Sequence, residues 1–399
     1  MTGGRFSFSF AVMKNFEEKS ALCALNRIFG FEPKIATSLI SHIGSAAGVF
    51  LLDSRDKDRL LGPYSKHKGQ ITHQALDSAA MELAALERDG ICFVGITEEE
   101  YPELLRDCAD APVGLYVRSA TPVSDLFAPR RRIAVVGTRD ISSYGRDWCG
   151  RIVQGLAASP AKPVVISGLA LGTDICAHVA ALDCGLPTIA VMATGPETVY
   201  PNRHQSFAER IAASDGSALI TDYPPGTAPL AIHFLRRNRI IAGLSEAVIL
   251  VESKAKGGGM MTSRLASSYG REVYALPGRA DDIRSQGCNH LIRDKIAEPL
   301  TSVRDLVEGL RLGTLPKVRK VTDKERLTEV YKGAVTDEKI GMMAHVMKTI
   351  RNDRDICLDD LSAASGLDYA VLSEIVGMLE MDGFITIDLL QRCSVAAGR

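Results

Sequence analysis

The stretch from Arg132 to Ala181 constrains the fold of this chain more than any other. It reads RIAVVGTRD, a helix-compatible run, and then KPVVISGLALGTDICAHVAA. Ile133 to Val136 is apolar without a polar break, the pattern of a strand buried on both faces. It closes on Gly137-Thr138-Arg139. Pro163 to Ile166 repeats the pattern and closes on Ser167-Gly168, ahead of Gly172-Thr173-Asp174. Tyr144 to Ala158 between them is long enough for a crossover helix, which parallel pairing requires. The unit is therefore βαβ. Both strands end in small residues at one edge of the sheet, where open α/β sheets place their ligands.

Four further apolar runs follow: Thr188 to Met192, Ala218 to Thr221, Ala247 to Val251 and Val273 to Leu276. Six strands alternating with helical segments predict an α/β fold with a Rossmann-like, doubly wound, mostly parallel sheet. Ala193 to Asn202 is the ligand-side loop of the third strand. Upstream, Asn15 to Phe29, Pro33 to Ile43 and Ser45 to Leu52 have helical apolar spacing, so an N-terminal helical (SAM-like) domain is expected over residues 1–80. Its SHIGSAAG stretch bears some likeness to a helix-hairpin-helix, which grips phosphate through turn amides. Gly44 and Gly48 lie four apart rather than as G-x-G, and a small structural bundle accounts for them better. Arg55 to Lys68 reads as a charged loop, Ile71 to Arg88 as an amphipathic helix, and Ile91 to Val94 and Leu115 to Val117 as strands. Pro122 to Pro129 reads as a linker. The sheet domain is expected over 81–311 and a polar, lysine-rich linker over 312–340. A winged helix is expected over 341–399, from its order of helix, helix, helix Tyr369 to Met381, and strand Phe384 to Ile387.

Composition narrows the class. Of 399 residues, 46% are apolar and 24% charged, as in ordinary globular proteins, and the formal net charge is −1. Any polyanion site must come from local clustering. Nine cysteines without a CxxC fit a reducing, cytoplasmic setting, and no His/Cys spacing suggests a metal. Phe6 to Val12 is a poor signal h-region, and no apolar run approaches a membrane span.

The chemistry lies in the strand-end loops. Gly137, Thr138 and Arg139 set a guanidinium beside a small-residue turn near a helix start, which suits a phosphate, although a solvated arginine on a tight turn reads as well. Ser167, Gly168 and Gly172 form a glycine-rich loop without G-x-G-x-x-G or a Walker lysine, and close strand–helix packing explains its glycines equally. Asp174 is expected to cap the following helix. Arg236, Arg237 and Arg239 cluster just after Phe234, with no acidic residue between Gly226 and Ser245. Guanidinium groups beside a ring are the equipment of single-stranded nucleic-acid binding, whereas core packing of Phe234 with salt-bridged arginines is the alternative. Lys254, Lys256 and Gly257 to Gly259 form a second cationic, amide-rich loop before a helix, suited to an anion nest. Asp222, Tyr223 and Glu252 lie near strand ends, where structural roles are expected. No Ser/His/Asp set, paired carboxylates or metal cluster presents itself.

The motifs GTRDISSYG, SGLALGTDICAHVAAL, YPPGTAP, FLRRNRIIAGLS, REVYALPG and GCNHLI occur in this order. With them, residues from about Met81 to Leu310 resemble the DNA-processing protein A (DprA/Smf) family. The resemblance implies an extended Rossmann-like domain that binds single-stranded DNA, forms homodimers, uses no cofactor, protects incoming strands during natural transformation and helps load the RecA recombinase. It implies phosphate binding by Arg139, pocket lining by Ser167, Gly168 and Gly172, and a base and its phosphates held by Phe234, Arg237 and Asn238. Gly258 and Thr262 fall in a loop that reads GGGMMT where the family has SGSLIT, so two hydroxyl donors are replaced by glycine. Leu235 stands where the family often has proline.

Between Asp355 and Leu390 there are eight acidic residues and no Lys or Arg, which argues against duplex binding by the C-terminal module and for a protein-interaction role. The expectation is thus a non-catalytic single-stranded DNA-binding mediator of recombination. The alternative is a nucleotide hydrolase on a related sheet, of the lysine-decarboxylase-like type, whose PGGxGTxxE signature is absent.

Overall fold

The computed structural model describes residues 4–316, 322–353, 356–388 and 391–395. They divide into two units, one ending at Pro316 and one beginning at Lys317. In the first, nine strands form one sheet. They are β1 (Ile91–Gly95), β2 (Gly114–Arg118), β3 (Arg132–Val136), β4 (Val164–Ser167), β5 (Thr188–Val191), β6 (Ala218–Thr221), β7 (Ala247–Leu250), β8 (Glu272–Ala275) and β9 (Glu298–Pro299). Their order is 1-2-6-5-4-3-7-8-9. From β6 to β9 every pairing is parallel, while β1 and β2 add an antiparallel edge. The doubly wound, mostly parallel sheet follows the expectation; β9 carried no signal, being two residues long.

Alternate residues of each strand serve opposite faces. Ala134 and Val136 of β3 pack with Ile240, Ile241 and Met260, from the helices Ala231–Leu244 and Gly258–Ser268. Ile133 and Val135 pack on the other side with Ile152 and Ala177, from the helices Ser143–Ala158 and Thr173–Asp183. Both faces are covered, which is why the strands read as unbroken apolar runs.

The N-terminal helices share a core with β1 and β2: Leu22, Leu25 and Phe29 of the helix Gly4–Phe29 pack with Phe93, Val113 and Tyr116. The expected boundary at residue 80 falls inside the helix His73–Arg88, whose Ala79 and Leu83 belong to that same core. Residues expected as a charged loop include the helix Ser54–Leu61, started by Asp53, whose carboxylate accepts from Asp56 N at 2.8 Å. The expected linker at 122–129 contains the short helix Val123–Leu126, with Leu126 buried. In SHIGSAAG, Gly44 ends one helix in the left-handed region (φ 89°). The amides of Ala46 and Ala47 at the start of the next helix are taken by the Glu18 carboxylate, at 2.6 and 3.0 Å. Gly48 N is bonded to Ser45 Oγ at 3.0 Å, so the amides that open that helix are engaged within the protein.

The second unit has helices Asp323–Val330, Asp337–Asn352, Leu358–Ser365 and Tyr369–Met381. A small antiparallel sheet of β10 (Ile356–Cys357), β11 (Ile385–Ile387) and β12 (Arg392–Val395) has β12 in the middle. Residues 322–340, expected within the linker, contribute to this unit. Thr322 and Glu325 form a capping box, and Leu327 is fully buried. None of the helices among the described residues is long and apolar enough to cross a membrane. The nine cysteines are all free thiols.

Candidate nucleic-acid interface

The carboxyl edge of the parallel strands opens into a crevice of about 770 Å³. It sits where the strand order reverses, between the loop after β3 and the loop after β7. Gly137, Thr138 and Arg139 form one wall; Lys254, Lys256 and Gly257 to Gly259 form another. The helix Ala231–Leu244 supplies the third. Phe234, Arg237, Asn238 and Ile241 line the crevice at helical spacing of three, four and seven, one face of that helix.

The rim is aromatic and cationic. The Arg139 guanidinium lies 5.0 Å from the centroid of the Phe234 ring, and Tyr200 meets the same ring edge-on at 5.4 Å. Arg139 and Tyr200 are exposed and Phe234 half-buried. Among the described residues, Arg139, Lys254 and Lys256 form no salt bridge with a carboxylate. Three cations outside any salt bridge, beside an edge-to-face pair of rings, concentrate positive charge at the crevice rim that bulk composition hides.

Arg237 lies beneath this rim, 3% exposed. It donates to the carbonyls of Gly168, at 2.5 Å, and Val191, tying together the loops after β4 and β5. Burial pulls its pKa down to about 10, with Asp174 opposing, so it remains cationic at neutral pH. Asp174 is buried beside it, and desolvation pushes its carboxyl up. The Asp174 carboxylate accepts from Ala170 N at 3.3 Å and does not cap its helix: Gly172 holds the N-cap position, without a side-chain cap.

Two helix starts behave differently. The helix Ser143–Ala158 follows the GTR turn, but its opening amides are taken. Ser142 Oγ accepts from Gly145 N at 3.0 Å, and Glu252 accepts from Ser142 N at 2.9 Å and from its hydroxyl at 2.5 Å. The expected phosphate grip by that dipole is thus replaced by the protein's own carboxylate, and Glu252 has the structural role expected of it. The helix Gly258–Ser268 starts at Gly257 with no side-chain cap, and its first turn lines the crevice. Its amides are the ones open to an anion. Gly259 packs so closely on β7 and Gly137 that a Cβ there would lie 2.6 Å from Leu250 and 3.2 Å from the Gly137 backbone. Thr262 is buried, and its hydroxyl donates to Gly258 O at 3.3 Å. Asn238 reaches Gly258 O at 3.5 Å and bridges two walls.

Of the residues singled out in the sequence, Gly137, Thr138, Arg139, Phe234, Arg237, Asn238, Lys254, Gly258 and Thr262 meet in this crevice. Five do not. Ser167 is buried and donates to Val135 O at 2.7 Å. Gly168 packs against the Arg237 guanidinium, and Gly172 (φ 75°) against the Thr138 and Arg139 backbone. Arg236 lies on a different face of its helix, 4.2 Å from the Phe31 ring centroid and bonded to Gly30 O. Arg239 is buried in an ion pair with Asp222 at 2.5 Å and donates to Asp110 O. Tyr200 and Asp140 also line the crevice. Tyr200 lies in the ligand-side loop after β5, and that position is the signal for it.

The family described as DNA recombination-mediator protein A has a model that matches residues 92–311, more than half of the chain. Over 212 residues the chain is 39% identical to DNA processing protein DprA of Streptococcus pneumoniae, spanning 53% of this chain and 72% of that protein. It is 37% identical over 236 residues to protein Smf of Escherichia coli, 59% of this chain and 61% of that one. The X-ray structure of DprA from S. pneumoniae superposes with a TM-score of 0.58 at 30% identity, covering 74% of this chain and 95% of that structure.

Proposed function

Because this chain belongs to the DNA recombination-mediator protein A family, we propose that it binds single-stranded DNA in the strand-end crevice and acts as a recombination mediator, not as an enzyme. The observation that carries this reading is the rim: Arg139 and Tyr200 each against the Phe234 ring, with Lys254 and Lys256 outside any salt bridge beside them. Bases stack on rings regardless of sequence, while free cations replace the counterions of successive phosphates. The uncapped start of Gly258–Ser268 adds amide donors. The family resemblance extends the proposal to protection of incoming strands, loading of RecA and homodimer formation, with no cofactor.

The hydrolase alternative needs a free carboxylate beside the bound nucleotide. Of the carboxylates in the crevice, Asp140 pairs with Arg284 at 3.3 Å, and Asp174 is buried under Arg237. Neither is placed to activate water, which supports the binding reading.

The test is binding of labelled oligo-dT and of its duplex across a salt series, for the wild type and for Arg139→Ala combined with Lys254→Ala. The single strand is expected to bind more tightly than the duplex, with log Kd linear in log salt. Removing two phosphate contacts lowers the slope by about 1.4. An unchanged slope in the double variant places the site elsewhere. Release of base from a nucleotide by the wild type revives the hydrolase.

A further inference from the structure

A second cavity, of about 800 Å³, opens on the opposite face of the sheet edge. It lies between the helices Ser143–Ala158 and Thr173–Asp183 and the helix Gln205–Ala213. Two residues, Arg139 and Asp140, line both this groove and the crevice. The loop after β3 is therefore a saddle: crevice on the side of Ala231–Leu244, groove on the side of Ser143–Ala158.

The groove has the same chemistry in a different arrangement. Its floor is apolar, with Ile175, Val179 and a half-buried Phe207 whose ring meets His204 edge-on at 6.3 Å. Its rim carries Arg146 and Arg203, both exposed and, among the described residues, without a carboxylate partner. Arg146 donates to the Cys176 sulfur at 3.7 Å. The two carboxylates of the groove are neutralised: Asp140 by Arg284 and Asp183 by Arg210, each at 3.3 Å. The cations are thus uncompensated and the anions are not, as a polyanion requires.

Resting on the single-strand reading of the crevice, we propose that this groove is a second subsite for the same strand. The strand crosses the saddle over Arg139, and nucleotides flanking those in the crevice lie in the groove, with phosphates on Arg146 and Arg203 and a base over Phe207. Charge complementarity and continuity through Arg139 select a nucleic-acid occupant over an apolar ligand, and an open groove of this size suits single nucleotides better than a duplex. A longer footprint is the consequence: affinity climbs with strand length until both subsites fill.

The experiment compares oligo-dT of about four and of about sixteen nucleotides, which bracket one and several subsites. The full chain is tested as wild type, as Arg146→Ala/Arg203→Ala, as Arg146→Lys/Arg203→Lys, and as Lys254→Ala. The alanine pair is expected to bind the long strand roughly tenfold more weakly with a salt slope lower by about 1.4, leaving the short strand untouched. The lysine pair keeps the slope, which shows that charge and not folding was lost. Lys254→Ala weakens both lengths. Equal loss on both lengths, or no loss on the long one, overturns the groove while the crevice stands. Loss of self-association with unchanged length dependence also overturns it and puts a second copy in the groove. Length-independent failure of wild-type binding overturns both subsites together.

Discussion

Arg237 is a charged group held beneath the crevice rim by close neighbours. Gly168 has no side chain because a Cβ there would lie 2.2 Å from the guanidinium. His178, fully buried nearby, shows how closely the titratable groups are set. Thr188 Oγ1 donates to Val165 O at 2.8 Å, so its contact with His178 Nδ1 at 2.7 Å makes that nitrogen the donor. Nε2 has no partner among the described residues. A second proton would be buried without an acceptor, and burial, with the Arg237 charge adding to it, lowers the pKa to about 3. A histidine depressed in the folded state leaves stability intact above its unfolded value of about 6.5 and removes it as pH falls from there toward 3. Between pH 6.5 and about 5 the loss is about 2 kcal/mol. His178→Asn keeps a donor for Thr188 and does not titrate. Urea midpoints measured for both proteins across that range are expected to fall more steeply with acidification for the wild type; parallel curves would rule out His178 as the cause.

The helix Ala231–Leu244 carries three arginines with three fates. Arg237 shares the crevice face with Phe234 and Asn238; Arg236 packs on Phe31; Arg239 is buried against Asp222. Three substitutions therefore separate. Phe234→Ala is expected to weaken oligo-dT binding by about 1–3 kcal/mol with little change in melting temperature. Arg236→Ala is expected to leave binding unchanged and lower stability by about 0.5–1 kcal/mol. Arg239→Ala strands a buried carboxylate and lowers stability by about 3–5 kcal/mol. Melting curves and oligo-dT titrations on the same preparations check all three; equal binding loss at Arg236 and Phe234 would mean the helix is turned otherwise. This helix also shows what was legible in the sequence. The parallel sheet and its loops could be read from apolar runs and strand ends, and the arginine cluster beside Phe234 from local composition, while Asn238 and Thr262 came only with the family resemblance. The split among the arginines needed the helix phase, which the spacing of three and four already holds, and knowledge of what covers each face, which it does not. Glu252 closing the start of Ser143–Ala158 was hidden because its partner, Ser142, is 110 residues away. Arg236 likewise meets Gly30 across 206 residues.

At the scale of the whole molecule, the unit ending at Pro316 contains everything the proposed interface uses. Its last residues belong to it: Leu312 is buried in the core under β3, and its carbonyl accepts from Ala161 N at 3.3 Å. The second unit closes a core of its own around Leu327, Met343, Leu372 and Phe384. One stretch of that unit is unsuited to a phosphate chain, with eight acidic residues and no Lys or Arg between Asp355 and Leu390. A chain ending at Pro316 is therefore expected to fold and to bind oligo-dT within about twofold of the full protein, a change under about 0.5 kcal/mol, with an unchanged salt slope. Any gain in affinity should be largest at low salt, where removing like charge matters over the longest distance. Fluorescence anisotropy of both chains across the salt series measures this. A tenfold loss on truncation, about 1.4 kcal/mol, would mean that the second unit contributes to the interface. Equal affinity leaves that unit free for a partner that is not DNA, which is the role its composition fits.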